Sequence, residues 1–298
     1  MYEQIASNKR RTFLLVAAFL CLIFLVAWAF DQLVGMGKAG IALAVVIAAA
    51  MTMGSYYYSD RVVLAMSGAR PAEKAEFPYL YNVVEGLALA AGIPAPKCYV
   101  IEDTAPNAFA TGRNPEHSVI VVTTGLLEKM NRLELEGVVA HEMSHIRNYD
   151  VLLQTLTVVM VGVIALLSDW MRRSFWWGGP RRRSSERGQG GGAAGLIVAL
   201  GLVLAILSPL IAQLIRLAVS RRREFLADAS GALLTRDPAG LASALKKIAA
   251  DKEPLEAANK ATAHLYIVNP LKDIGGSLNR LFSTHPPIEQ RIAALEKM

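Results

Sequence analysis

The stretch VVAHEMSHIRNYDVLLQ, residues 138–154, carries two histidines four residues apart, with a glutamate directly after the first. Residues four apart on a helix project from one face, so His141 and His145 can reach the same divalent cation. Glu142 can then reach a metal-bound water and act as a general base. The alternative is a pair of surface histidines, but Gly137–Ala140 make the approach apolar and tight. The stretch therefore predicts a buried metal site on a helix.

A catalytic zinc needs a third protein ligand and an open position. The candidates elsewhere in the chain are histidines or carboxylates, namely His117, His264, His285, Glu224 and Asp228. Glu224 and Asp228 are four apart in SRRREFLADASGALL, residues 220–234. One of them can bind metal while the other accepts the second ring N–H of a ligating histidine. A salt bridge from Glu224 to Arg221–Arg223 is an equally weighted interpretation, and spacing alone leaves both open.

Long apolar blocks separate these motifs. Hydrophobic residues make up 53% of the chain and charged residues 19%, and the mean hydropathy is +0.35. The apolar content is concentrated in blocks, of which four stand out: Phe13–Phe30, Ala39–Tyr58, Val151–Ser168 and Ala193–Ile215. A helix needs about 20 apolar residues to cross a bilayer. We therefore predict an integral membrane protein with about four hydrophobic helices. A second block directly after the first favours a span there over a cleaved signal peptide.

The basic residues predict the orientation in the membrane. Lys9–Arg11 precede the first block and place the N-terminus in the cytoplasm, which makes residues 59–150 and 220–298 cytosolic. The six arginines of the connection 169–194 oppose the outside location that parity gives it. A shallow or re-entrant hairpin over 151–219 is therefore an open alternative. The net charge of +6 lies largely beside apolar blocks, so it is not a nucleic-acid signal.

The cytosolic residues predict a mixed α and β, mostly helical domain. Helical spacing covers Glu73–Ala91, and Asn131 with Glu134 makes a capping-box pattern that starts the motif helix. Lys97–Glu102 and Ser118–Val122 are β-rich, and the connection 104–116 between them is rich in turn residues. Three further helices are predicted at Glu224–Leu234, at Pro238–Ala250 and from about Pro287. Cys21 and Cys98 are not expected to pair, which suits a cytosolic catalytic portion.

Four ordered motifs resemble the HtpX family of membrane metalloproteases, which are relatives of the CAAX prenyl proteases. The motifs are Asn107–Gly112, His141–His145, Ser220–Asp228 and Thr284–Pro287, and the resemblance covers essentially the whole chain.

This resemblance implies one Zn²⁺ per chain on His141, His145 and Glu224, with Glu142 catalytic and Asp228 in support. It implies a cytosolic, zincin-like catalytic domain in a protein of the bacterial inner membrane. It also implies stress-related quality control, by Glu-assisted attack of zinc-bound water on peptide bonds of membrane and misfolded proteins.

The resulting organisation has four parts. Residues 1–58 form a transmembrane hairpin, 59–150 the first part of the catalytic domain, 151–219 a second hydrophobic hairpin, and 220–298 the second part with the third ligand. The second hairpin would bring the two halves of the site together at the cytosolic membrane face. The expected partners are the lipid bilayer and polypeptide substrates.

Two further sets of residues are candidates for substrate binding. A strand near Asn107, Ala108, Phe109, Ala110 and Thr111 can pair with an extended peptide, or it can be purely structural. His285 can stabilise the oxyanion, or it can merely precede the last helix.

Two other functions compete with the membrane protease. One is a non-catalytic membrane adaptor with a structural zinc, and the other is a CAAX-type prenyl protease. An intact Glu142 argues against the adaptor, and four rather than more spans argue against a prenyl protease.

Overall fold

The computed structural model describes residues 2–34, 37–161, 221–258, 262–268, 270 and 286–298. Within these ranges the protein is a mostly helical α+β structure, as predicted, and it has one four-stranded sheet. Several predicted features lie outside the described residues: the fourth apolar block, the end of the third from residue 162, the connection 169–194, and His285.

Two long helices contain the first two apolar blocks. Helix α1 spans Tyr2–Val34 and α2 spans Gly37–Met66, and the two helices pack against each other. Large apolar side chains on both are exposed, among them Phe13, Leu43 and Met53. Of the helices within the described ranges, none combines the length and the apolar character needed to cross a bilayer.

The sheet has the strand order β1-β2-β4-β3. Strands β2 and β4 are parallel, whereas β1 pairs antiparallel with β2, and β3 pairs antiparallel with β4. The strands are β1 (Arg70–Pro71), β2 (Lys97–Ile101), β3 (Ala108–Asn114) and β4 (His117–Thr123). The turn-rich connection predicted over 104–116 therefore contains a strand. Its small residues Ala108 and Ala110 are buried against the core, and its half-buried polar residues Arg113 and Asn114 lie at its C-terminal end.

Most helices of the catalytic portion lie close to the positions predicted from the sequence. Helix α5 begins with the predicted capping box: Asn131 accepts from the backbone of Glu134, and Glu134 accepts from that of Asn131. The helix predicted from Glu73 begins later, at Pro78, because a proline disfavours the helical conformation of the residue before it, and Phe77 is accordingly non-helical. The helices are α3 (Pro78–Ala91), α4 (Thr124–Lys129), α5 (Arg132–Arg147), a helical stretch over 150–161, α6 (Arg221–Thr235), α7 (Pro238–Ala250) and α8 (Ile288–Leu295).

Helix α5 lies at the centre of the core, in contact with α3, α6, α7 and β3. Two glycines permit the closest of these contacts. A Cβ at Gly137 would lie 2.7 Å from the backbone nitrogen of Leu241 on α7. A Cβ at Gly231 of α6 would lie 3.0 Å from the backbone nitrogen of His141. The residues of the HEMSH motif are consequently buried among three helices and a strand.

Candidate active site

Three side chains from two helices converge on one point. His141 and His145 extend from the same face of α5, and their Nε2 atoms are 3.2 Å apart. The Glu224 carboxylate on α6 lies 3.7 Å from Nε2 of His141 and 3.6 Å from that of His145. All three residues are at most 3% exposed, and they form a group that could hold a metal ion.

The separations within this group suit zinc. Ligand atoms about 2.0–2.2 Å from a tetrahedral zinc lie about 3.3–3.6 Å from one another. The nitrogen–nitrogen and nitrogen–oxygen distances of 3.2–3.7 Å are close to that range. Two imidazoles and one carboxylate are also a donor set of catalytic zinc sites. The geometry thus favours Glu224 among the candidates for the third ligand.

The other candidate ligands lie elsewhere. His117 is exposed at the start of β4, where its Nδ1 lies 2.8 Å from Oδ1 of Asn114. His264 is buried but does not belong to the metal-binding group. Arg223 is one of the arginines considered as a salt-bridge partner of Glu224. Its Nη1 lies 3.3 Å from Oδ1 of Asp150.

Asp228 supports His141 from the next turn of α6. Its Oδ1 lies 2.9 Å from Nδ1 of His141, which leaves Nε2 of that ring directed at Glu224 and His145. Arg291 of α8 donates two hydrogen bonds to Asp228, from Nε at 2.8 Å and from Nη2 at 2.6 Å. Burial alone would raise the pKa of Asp228, but the bonds with Arg291 and His141 outweigh it and hold that pKa well below its usual range.

Asp150 supports His145 in the same way. Its Oδ2 lies 3.1 Å from Nδ1 of His145. Burial would lower the pKa of His145, but the bond to Asp150 and the nearby carboxylates raise it to about 9. Each histidine therefore has a carboxylate behind it, which fixes the ring so that Nε2 faces the site.

Asp150 and Arg291 are not among the site residues predicted from the sequence. Asp150 lies within the opening stretch, five residues after His145, and this was the available signal. Arg291 is six residues after His285 near the C-terminus, and local sequence contains no sign that it is buried.

Glu142 lies between α5 and β3, and it is 2% exposed. Its carboxylate accepts the backbone N–H of Ala110. Burial raises its pKa, although His141 and His145 partly offset that effect. A raised pKa makes the carboxylate a stronger base, which suits a group that must take up a proton.

Strand β3 turns its unpaired edge toward this site. Asn107 forms its backbone hydrogen bond with Thr123 at the start of the β3–β4 pairing, so by alternation Ala108, Ala110 and Gly112 direct their N–H and C=O groups to the other edge. There Ala108 accepts from the backbone N–H of Ile267 at 2.9 Å. The five predicted substrate-binding residues, Asn107 to Thr111, are all buried.

Residues 74–298 match the model of peptidase family M48. The chain belongs to peptidase family M48. It is therefore a metalloprotease, as the sequence predicted.

Curated relatives match this chain over its full length. The chain is 50% identical to a Protease HtpX homolog of Dictyoglomus thermophilum, over 100% of this chain and 94% of that one. It is 46% identical to the Protease HtpX homolog of Thermoanaerobacter pseudethanolicus, over 100% of this chain and 98% of that one. The recognition of the HtpX family from its motifs is thus confirmed.

One solved structure shows the same fold. The crystal structure of S. mikatae Ste24p superposes with a TM-score of 0.51 at 19% identity, and the match covers 99% of this chain and 67% of that one.

Proposed function

We propose that this M48 metalloprotease is an integral-membrane zinc endopeptidase, with one Zn²⁺ held by His141, His145 and Glu224. The buried convergence of these side chains at the separations of a tetrahedral site supports the proposal most strongly. Asp228 and Asp150 then hold the two imidazoles in the tautomer that presents Nε2 to the ion.

The catalytic step follows from the position of Glu142. Zinc at this site would polarise the scissile carbonyl and lower the pKa of the attacking water. Glu142 accepts the proton from that water and later donates it to the leaving amine. The hydrogen bond from Ala110 directs the Glu142 carboxylate toward the edge of β3, so proton transfer takes place beside the strand.

We infer that an extended substrate peptide lies along the open edge of β3, over Asn107–Thr111. Ala108 directs its C=O and Ala110 its N–H to this edge, where Ile267 and Glu142 are their partners in this structure. Adding a strand satisfies such backbone groups without regard to side-chain sequence. Ile267 occupies the C=O of Ala108 in this structure, so a peptide binding there displaces it. The Phe109 ring packs against Tyr266 with centroids 5.0 Å apart, which assigns that side chain a structural role.

We infer a location at the bacterial inner membrane, with the site at the cytosolic face. The apolar blocks, the exposed apolar side chains of α1 and α2, and the full-length likeness to HtpX homologs support this location. The proposed division is a membrane hairpin over 1–58, a catalytic domain over 59–150 and 220–298, and a second hydrophobic hairpin over 151–219. Substrates would then be membrane or misfolded proteins, cleaved for quality control under stress.

His285 lies outside the described residues, and its role remains a proposal. It directly precedes Pro286 and Pro287, six residues before Arg291, which contacts the site. Stabilisation of the oxyanion requires that His285→Ala lower turnover while metal stays bound. Normal turnover would assign it the structural role.

The competing functions are separated by one comparison. The full-length protein is purified, and its metal content and its cleavage of an unfolded membrane protein are measured for wild type, Glu142→Gln and Glu224→Ala. Glu142→Gln should retain metal and lose about 10²–10⁴-fold in turnover, the usual contribution of a general base. Glu224→Ala should lose both the bound metal and the turnover. Glu136→Gln on the same helix, which pairs with Arg132, should lose neither.

The contrary outcomes are equally defined. A wild type that holds metal and cleaves no polypeptide would favour the adaptor, for which a structural zinc requires a fourth protein ligand. Cleavage restricted to prenylated peptides would favour the CAAX-type protease. Full activity of Glu142→Gln would overturn the assignment of the base.

A further inference from the structure

The first turns of helix α1 reach the candidate metal site. Asn8 is 4% exposed, and its Nδ2 donates to Oδ1 of Asp150 at 2.7 Å. The other oxygen of Asp150 lies 3.1 Å from Nδ1 of His145. A short chain of hydrogen bonds therefore runs from the N-terminal helix to a candidate metal ligand.

Asn8 also caps the C-terminal end of α5, the helix that carries both histidines. Its Nδ2 donates to the carbonyl of Asn148 at 2.9 Å, and the last carbonyls of a helix have no partner within the helix. The next residue, Tyr149, has a φ of 60°, a left-handed conformation that is uncommon outside glycine. Lys9 lies over the Tyr149 ring, 4.4 Å from its centroid. One turn of α1 thus contacts three consecutive residues of the corner after α5.

Helix α6, which carries Glu224, also contacts Asp150 and Asn8. Arg223 precedes Glu224 on α6, and its Nη1 lies 3.3 Å from Oδ1 of Asp150 and 3.5 Å from Oδ1 of Asn8. Oδ1 of Asp150 therefore receives donors from both α1 and α6, and Oδ2 faces His145. This division of partners fixes the rotation of the Asp150 carboxylate.

We propose that Asn8 is a positioning residue for the metal site: it holds Asp150 so that Asp150 orients His145 toward the ion. The proposal rests on the metal site described under the proposed function. It makes the N-terminal helix a component of the catalytic centre, in addition to its proposed place in the membrane. A change at Asn8 alters the metal site without touching the metal or the substrate.

The expected effect is on metal affinity. Removing a side chain that directly supports a metal ligand typically costs 10–100-fold in affinity, and Asn8 acts one step further away. For Asn8→Ala we expect the zinc dissociation constant to rise about 3–10-fold. We also expect a changed visible absorption spectrum of the Co²⁺-substituted protein, because that spectrum follows the orientation of the ligands.

The test uses full-length protein and zinc alone, with competition against a chelator as the readout. Thr12→Val is the matched control, because Thr12 is buried one turn further along α1 and donates to the backbone oxygen of Asn8 rather than to Asp150. Thr12→Val should leave the zinc affinity and the spectrum of the Co²⁺-substituted protein unchanged. Glu224→Ala tests the metal site itself, so loss of zinc there upholds the proposed function whatever Asn8 does.

A double-mutant cycle separates positioning from general stability. If Asn8 acts through Asp150, Asn8→Ala should have no further effect on zinc affinity in an Asp150→Ala background. An undiminished effect in that background would overturn the proposal, as would wild-type affinity and an unchanged spectrum in Asn8→Ala. If Asn8→Ala does not fold, Asn8→Ser, a shorter donor, replaces it. Failure of both to fold would assign Asn8 to stability alone and also overturn the proposal.

Discussion

Arg291 and Asp228 form a two-pronged ion pair in the interior of the protein, with bonds of 2.8 and 2.6 Å and both side chains 1% exposed. Asp228 also contacts His141, so this pair joins α8 and α6 to the helix that carries the histidines. Arg291 also donates to the carbonyl of Ile267 at 2.8 Å, in the segment 262–268 between α7 and α8. The C-terminal helix therefore belongs to the site.

Replacing Arg291 should weaken both the fold and the metal site. Arg291→Ala leaves Asp228 as a buried charge without this partner, and breaking a buried pair costs about 3–5 kcal/mol of unfolding free energy. Arg291→Lys keeps the charge but loses the parallel bonds, so we expect a smaller loss, with weaker zinc binding. Urea unfolding and chelator competition measure these effects. Lys246→Ala breaks an exposed pair with Glu296 and serves as the control. Equal unfolding free energies and equal zinc affinities for Arg291→Lys and Lys246→Ala would contradict the prediction.

Gly231→Ala should disturb the site through the backbone. The new Cβ would lie 3.0 Å from the nitrogen of His141, so α6 must move away and carry Glu224 with it. Overpacking of this kind costs about 1–3 kcal/mol, and we expect weaker zinc binding in addition. Gly86→Ala on α3 is the control, because its Cβ meets nothing within 4 Å, and it should be neutral or stabilising. The prediction fails if both alanine variants bind zinc like wild type.

Proline at Ala110 should block cleavage and leave the metal in place. Ala110 directs its N–H to the open edge of β3, where proline is tolerated, so the sheet should still form. The variant loses the N–H that bonds Glu142 and that would face a bound peptide. We expect at least about 10-fold lower turnover, equivalent to the loss of about 1.4 kcal/mol of binding in the transition state.

Phe109→Pro provides the contrast on the same strand. Its N–H faces β4, so this variant should lose stability through the sheet. Measurements of thermal unfolding, zinc content and turnover distinguish the two positions. Normal turnover in Ala110→Pro would count against peptide pairing at this edge.

The capping residue Glu134 should make stability depend on pH. Burial would raise its pKa, but hydrogen bonds from Lys247, Ser243 and the backbone of Asn131 outweigh it and lower the pKa below the ordinary value of 4.5. The folded state therefore favours the ionised carboxylate. Its stabilisation is fully present above the unfolded pKa and is lost as the pH falls through the folded pKa.

Glu134→Gln tests this directly. We expect a loss of about 1–3 kcal/mol near neutral pH, the usual contribution of hydrogen bonds to a charged group. The difference from wild type should shrink as the pH falls below about 4.5, the ordinary value for this carboxyl. Glu136→Gln, which removes a more exposed pair with Arg132, should cost at most about 1 kcal/mol. A difference that stays constant down to pH 3 would show that ionisation is not the cause.

Local signals predict several elements accurately. Helix α7 occupies the predicted Pro238–Ala250, and α5 begins at the predicted capping box, because caps and proline act within one turn of the chain. Strands β2 and β4 lie within one residue of their predicted bounds. Strand β3 is harder to predict, since glycine, asparagine and proline near its ends resemble a loop. Its pairing with β4 and its packing on α5 make it a strand.

The sequence by itself determined the metalloprotease family through its ordered motifs. It also determined the pair His141 and His145 beside Glu142, because four-residue spacing on a helix places the two histidines on one face. Spacing alone left the third ligand open, whereas the resemblance to the HtpX family implied Glu224. The tertiary structure decided that Glu224 meets both histidines, because close packing at Gly231 brings α6 onto α5. It also brought Asn8, Asp150 and Arg291 around the site. Apart from Asp150, which follows His145 by five residues, these residues are distant from the histidines in the chain, and only the packing of the core brings them to the site.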